Sequence, residues 1–549
     1  MKLINLAKID FAGNAGAAPG PALAAEKDVI LYDYDGSEVA SYSAEEFAAL
    51  TELPTPPAHE GLTFQEWNWP LADAQAYCAQ YGMMDIGATY ITSDGKSRIY
   101  ITLPEGRISP SLGLAINGTV TIDWGDESQQ NTVIGTSLST LINTPHTYPS
   151  AGSYLITITP SAGSTIKLMG QSNYDSCLLW AEKTSKNSQN KVYQNSIKRV
   201  ELGLGAKIGS YAFMQCTNLA LVNIPKDSID TIEFSAFSST FKLRSLVVPR
   251  GVTVIENSAF YNSNISSLAL SPNITVIQQL ACSRTRVKRL CLPPLLTEIN
   301  TDLASGCSML ENVIIPDGVT RILSSAFNDC NHLKSIKIPD GVYSIASSAF
   351  RNCTSLKSID IPNVGAITTN VFNGCTGLET VHIADGVTQI ADYAFASCSN
   401  LREINIPAGL NSIATYAFEN CMQLPSLVIP QGVTRLNNSI CSNCQTLVEV
   451  IISENVTQLG VNCFRNCYCL PSITIPSMVT TIGSQCFQNC YSLGYIYVSN
   501  ATPPAIQSNT FDKIPDDVII YVPAESVEAY KAATNWSAHA SKIQPMPTT

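Results

Sequence analysis

Thirteen times along the chain a unit of about 23 residues returns, and no other feature of the sequence restricts the fold as strongly. Aligned on one position, the units begin at Cys216, Thr240, Asn262, Arg284, Cys307, Cys330, Cys353, Cys375, Cys398, Cys421, Cys444, Cys467 and Cys490. Apolar residues fall three, six and eight places after each anchor, as in Leu333, Ile336 and Ile338, and the last two alternate like a strand. A proline such as Pro316, Pro339 or Pro362 then removes an amide donor and ends that strand. A Gly-Val turn follows, and then an Ala-Phe pair, Ala326-Phe327 or Ala349-Phe350, expected to fill the convex side of a coil.

One such unit cannot stand alone. About six buried side chains, at roughly 1.5 to 3 kcal/mol each, do not offset ordering about 23 residues at roughly 1.5 kcal/mol apiece. Neighbouring coils must supply the remainder, which predicts a solenoid. The pattern C-x-x-L-x-x-I-x-I-P-x-G-V-x-x-I-x-x-x-A-F resembles the BspA-like leucine-rich repeats of bacterial surface proteins, over residues 195–523. That resemblance implies a right-handed superhelix with a parallel sheet on one face, and adhesion or recognition rather than catalysis.

Eighteen cysteines in a secreted chain would ordinarily suggest disulfides. Here most sit at the anchor, where Thr240, Asn262 and Arg284 replace them, so they are read as small buried hydrophobes. Cys441, Cys463 and Cys486 take Ala-Phe sites and are assigned to the core as well. No metal is expected: the Cys441/Cys444 and Cys467/Cys469 spacings lack a second pair or a histidine cluster.

Ahead of the repeats, Val120-Thr121-Ile122 and Tyr154 to Ile158 alternate as half-buried strands. With the Trp124-Gly125-Asp126 turn and His146-Thr147-Tyr148, they resemble a PKD domain, an immunoglobulin-like β-sandwich, which implies a spacer or binding module. Asp123, Asp126 and Glu127 are the residues that would hold calcium there; capping of the turn by Asp126 is the favoured role. Farther upstream, strands are expected at Val29 and over Leu62 to Trp69, with a short helix over Asp73 to Tyr81. The G-L-T-F-Q-E-W-N-W segment resembles small β-grasp repeats of bacterial surface proteins, and Trp67 and Trp69 are either a sugar-stacking pair or part of a small core. Val527, Tyr530, Ala533 and Trp536 predict a helix over Glu525 to Ala540 that closes the solenoid.

The expected fold is therefore mostly β. Residues 1–26 form an N-terminal arm, 27–95 a small α+β module, 96–165 the PKD/Ig-like sandwich, 166–194 a linker, 195–523 the leucine-rich-repeat solenoid and 524–549 a helical cap. A net charge of -12 argues against nucleic acid, which needs clustered Lys and Arg. No apolar run is long enough to insert in a membrane. His59, His146, His332, His382 and His539 are scattered, and no catalytic or nucleotide-binding motif is present, so neither an enzyme nor a cofactor is expected.

The natural platform is the set of outward positions five and seven after each anchor. Lys337, Asp360, His382 and Asn405 fall in one row, Glu403 and Glu449 lie alongside, and Tyr495 and Tyr497 stand near the end. Fifteen or so strands at about 4.8 Å would make this face roughly 70 Å long. The arrangement also looks like proteins encoded in prophages of gut bacteria. With no apolar signal centre between Met1 and Ala25, the expectation is a virion-borne adhesin, fibre or head decoration. It would bind other virion proteins through a site somewhere within Met1 to Lys27, bind host glycans or proteins through the repeats, and pair with itself as a homo-oligomer. A bacterial cell-surface adhesin is the alternative.

Overall fold

The structure, a computed structural model, describes residues 27–170, 177–181 and 193–547. The N-terminal arm read over residues 1–26 lies outside them. Fifteen coils stack from the strand Ile197–Glu201 to the strand Ile519–Val522. Successive strands pair parallel and in register, with Ser358 opposite Thr380 and Asp360 opposite His382. The repeat pattern misses a second ladder: farther along, every coil but the last makes another short strand of two or three residues, as in Arg321–Ile322 paired with Ser344–Ile345.

Each coil turns back through two residues with left-handed backbone. Ser348 (φ 61) and Asn352 (φ 60) serve one coil, Tyr416 (φ 62) and Asn420 (φ 61) another. Asparagine tolerates this conformation better than most side chains, and here its amide also links coils. Asn443 Nδ2 donates to Asn420 Oδ1 at 2.7 Å, and Asn489 Nδ2 to Asn466 Oδ1 at 2.6 Å.

Inside, the phenylalanines of the Ala-Phe pairs stack coil upon coil. Phe327, Phe350, Phe372, Phe395 and Phe418 are fully buried, with ring centroids 5.5–5.7 Å apart and planes within 9° of parallel. Beside them run the anchor thiols, all unbridged. Cys353 Sγ donates to Phe327 O at 3.3 Å, Cys375 Sγ to Phe350 O at 3.1 Å and Cys421 Sγ to Phe395 O at 3.2 Å, so each thiol satisfies a carbonyl of the coil before. Burial pushes the Cys353 and Cys421 thiols well above the usual value, which keeps them protonated donors. Of the eighteen cysteines only Cys469 is exposed. A thiol-reactive dye should therefore label one cysteine promptly in native protein and all eighteen in guanidinium chloride.

Residues 97–168 supply β5 (Ser97–Leu103), β6 (Pro110–Asp123), β7 (Asn131–Pro145), β8 (Gly152–Pro160) and β9 (Thr165–Leu168), a largely antiparallel set. They join a nine-stranded sheet that continues without a break into the solenoid: β5 pairs with Ile197–Glu201 of the first coil, and β9 with Ala206–Ile208. One hydrophobic core runs from Ile99 and Trp124 to Ile543. The linker expected over 166–194 is corrected accordingly. Thr165–Leu168 is a central strand, Leu179–Ala181 pairs with β6, and Cys177, Leu178 and Leu179 are buried, because these apolar residues complete the end of the solenoid core. Around the Trp124 turn the carboxylates are already engaged. Asp123 accepts from Gly125 N and Gln130 Nε2, while Asp126 accepts from Ser128 N and pairs with His146 Nε2 at 2.7 Å. The His146 ring in turn stacks on Trp124, 4.5 Å away.

Residues 27–92 form a four-stranded sheet in the order β2-β1-β4-β3, from β1 (Val29–Tyr32), β2 (Glu38–Tyr42), β3 (Leu62–Trp67) and β4 (Met84–Thr92). Two helices cover it, α1 (Ala44–Ala48) and α2 (Leu71–Tyr81). The sequence reading missed α1, though Ser43 and Glu46 carry the reciprocal capping box that starts it. The sugar-stacking reading of Trp67 and Trp69 is overturned. Both rings are buried, because Trp67 Nε1 reaches Pro54 O at 3.0 Å and Trp69 Nε1 reaches Leu270 O of the solenoid at 2.8 Å.

At the other end the predicted helix is shorter. Val527–Ala532 is helical, the chain then opens at Ala533, and Asn535 takes φ 63 so that its amide reaches Ile506 O. The break lets Trp536 donate to Pro504 O at 2.8 Å while Tyr530 OH donates to Asn500 O at 2.9 Å. Both rings are buried, as a cap requires, and a final strand, Ile543–Pro545, pairs with Ile519–Val522 and covers its edge.

Candidate binding face

Side chains five and seven places after each anchor leave the strand ladder away from the core, but the face they make is not uniformly open. The row at position seven begins with Asn223, Val247, Ala269, Cys291 and Ile314, and the 27–92 module sits on it. Asn68 Nδ2 donates to Val248 O and Ala269 O at 3.1 Å each, and Tyr77 OH to Leu292 O at 2.8 Å. Arg289, at position five, grips the module from beneath: it donates to the carbonyls of Lys27, Asp28 and Met84 and lies 3.2 Å from the Asp85 carboxylate. Burial lifts the Asp85 carboxyl to about 6 even beside that guanidinium.

The roughly 70 Å platform is thereby shortened. From the strand at Ser335 to that at Ile519 nine strands carry no cover among the described residues, about 40 Å at 4.8 Å per strand. Lys337 stands at the boundary, lining an open pocket of about 330 Å³ with Lys27, Met83, Arg289 and Asn312. Asp360, His382, Glu403 and Glu449 are exposed in the following coils. Asn405 is exposed too, yet its amide already works within the sheet: Oδ1 accepts from Ile383 N and Nδ2 donates to Ile383 O. Tyr495 and Tyr497 are brought together with Tyr521, which the sequence reading did not single out. The three rings lie 5.3–6.3 Å apart and within 28° of parallel, so each shields a face of its neighbour. Burial, and then the two neighbouring phenols, push the Tyr497 hydroxyl above the usual tyrosine value.

Two further members of the row also escaped the sequence reading. Val428 and Ile451 pair in adjacent strands and are each 51% exposed, and the signal was available, since they follow Asn405 at the same spacing. Among the described residues no group of three or more His, Cys, Asp or Glu side chains is placed to hold a metal ion.

The family described as BspA type leucine rich repeat region (6 copies) matches residues 188–311, 297–424 and 411–525, together more than half of the chain. Several solved structures are similar. A leucine-rich repeat protein from Bacteroides ovatus is 22% identical over 60% of this chain and 85% of its own, with a TM-score of 0.47. A leucine rich cell surface protein from Faecalibacterium prausnitzii is 24% identical over 50% and 84%, with a TM-score of 0.29. The pneumococcal vaccine antigen PcpA is 18% identical over 63% and 92%, with a TM-score of 0.38. No curated protein matches the chain.

Proposed function

The chain belongs to the BspA type leucine-rich repeat family, and from that premise we propose that it is a bacterial surface adhesin, a non-enzymatic scaffold that binds a glycan or protein of another surface through its strand face. The observation that carries this reading is that the face already works as a binding surface. It holds the 27–92 module through backbone carbonyls and a mostly apolar row, and no described residue covers that row over nine further strands. Lys337, Asp360, His382, Glu403, Asn405, Tyr495 and Tyr497 are its proposed contact residues. The PKD-like strands between β5 and β9 act as a rigid collar, because their sheet runs into the first coil. No nucleic acid, membrane insertion or cofactor enters this function.

The virion form of the same idea, with an attachment site within Met1 to Lys27 and a tail-fibre or head-decoration role, has neither a family match nor a described segment behind it. The adhesin takes precedence. Protease shaving of intact source cells should release peptides from residues 335–520 before any cytoplasmic marker appears. Finding the chain instead in stoichiometric amounts in purified induced phage particles, and not in the shaved fraction, would reverse that order.

A further inference from the structure

Along the row at position seven, side-chain character changes in blocks. Past Asn223, whose amide donates to Tyr90 O of the 27–92 module, it is apolar where that module covers it, polar from Lys337 to Asn405, and apolar again at Val428 and Ile451, where no described residue covers it. Beside these two lies an open groove of about 710 Å³, lined by Ile406, Val428, Pro430, Ile451 and Glu454 among others. Its one charged lining residue is Glu454, and Glu449 stands on the paired strand next to Ile451, so the rim is acidic. The covered block shows what an apolar stretch of this row does in this molecule: it seats a protein surface.

We propose that Val428, Ile451 and the adjoining acidic groove are a docking site for a protein segment in which apolar side chains alternate with Lys or Arg. This inference rests on the binding-face reading above and specifies its partner. Charge complementarity selects a basic segment, since Glu449 and Glu454 border the patch and no Lys or Arg lines the groove. A glycan is the poorer fit. Sugar rings need free aromatic faces, whereas the groove lining has no aromatic residue, and the nearby Tyr495, Tyr497 and Tyr521 shield one another.

The test uses full-length protein and two fluorescent heptapeptides, Ser-Lys-Val-Lys-Val-Lys-Ser and its Ser-Glu-Val-Glu-Val-Glu-Ser counterpart, read by anisotropy. The lysine peptide should bind saturably, the glutamate peptide at least tenfold more weakly, and raised salt should weaken the lysine peptide. Val428→Ser with Ile451→Ser should weaken lysine-peptide binding several-fold with an unchanged circular dichroism spectrum. Equal binding of both peptides, no binding of either, or binding unaffected by the Ser pair overturns the proposal. So does tenfold tighter binding after removal of residues 1–26, which would make the chain's own Lys2-to-Ile9 stretch the occupant. A dimer that dissociates in the Ser variant would assign the patch to a second copy, and a neutral oligosaccharide competing for it would assign it to a glycan; either result also overturns the proposal. Surface shaving is indifferent to all these outcomes, so failure here leaves the adhesin reading to its own test.

Discussion

Gly87→Leu should lift the 27–92 module from the solenoid while both remain folded. Gly87 lies in β4 directly over the position-seven row, and even a single added carbon would meet both Val247 methyl groups at 2.5 Å and the Ala269 Cβ at 3.0 Å. Overpacking by small groups already costs about 1–3 kcal/mol in rigid surroundings, and a leucine exceeds that. Asn68 exchanges hydrogen bonds with Gly87 in both directions, so a shift of β4 also pulls its amide from Val248 O and Ala269 O. Cys291 reports the outcome, because it sits under the module and burial holds its thiol well above the ordinary value. Promptly labelled cysteines should rise from one to two. Arg289→Ala should do the same by a different route, with a loss of about 3–5 kcal/mol for breaking a buried ion pair. In the unaltered protein Asp85 binds its proton more tightly when buried, with a value near 6 against 3.8. Its contribution to docking is thus full below pH 3.8 and is lost as pH rises through 6.

The second large effect is expected at Phe372→Ala, with a loss of about 3–5 kcal/mol. Phe372 is fully buried between Phe350 and Phe395, with ring centroids 5.6 and 5.5 Å away, so the truncation removes two aromatic contacts as well as apolar area. Because each coil touches mainly its neighbours, the loss should stay local. Hydrogen exchange should accelerate first in the coils that begin at Cys330, Cys353 and Cys375, and urea unfolding should begin earlier and broaden. Uniform acceleration along all fifteen coils would contradict nearest-neighbour stacking.

Repetition explains how much of this fold can be read from the chain. The strand positions and the Ala-Phe sites recur often enough that one consistent answer satisfies nearly every coil, but in two coils the anchor is shifted by one: Ser263 and Thr285 fill the buried site, while Asn262 and Arg284 are the left-handed residues before it. The left-handed residue before the anchor was equally legible, since Asn precedes Cys at 353, 421, 444, 467 and 490. It was overlooked because a lone Asn in one coil looks like any polar surface residue. The docking of the 27–92 module was harder to see. It depends on contacts between residues some 180–260 apart, such as Asn68 with Val248 and Arg289 with Lys27, and neither partner carries a local pattern that points to the other. For the same reason the uncovered row appeared longer in sequence than it is. The 166–194 stretch read as a linker because its strands are three and four residues long and lack periodicity.

The phenylalanine column has gaps, and they have a mechanical meaning. It runs from Phe213 to Phe260, from Phe327 to Phe418 and from Phe464 to Phe511, with Cys282 and Ala304 filling the first gap and Cys441 the second. A rod built this way and pulled from its ends is three stiff blocks joined at two softer seams. The 27–92 module lies across the first seam as a splint, gripping Leu270 before it and Asp317 after it. No described segment splints the second seam, which falls between the coils that present Val428 and Ile451. Tension along the molecule would concentrate there, and any partner seated across those two coils would stiffen the rod at its weakest joint.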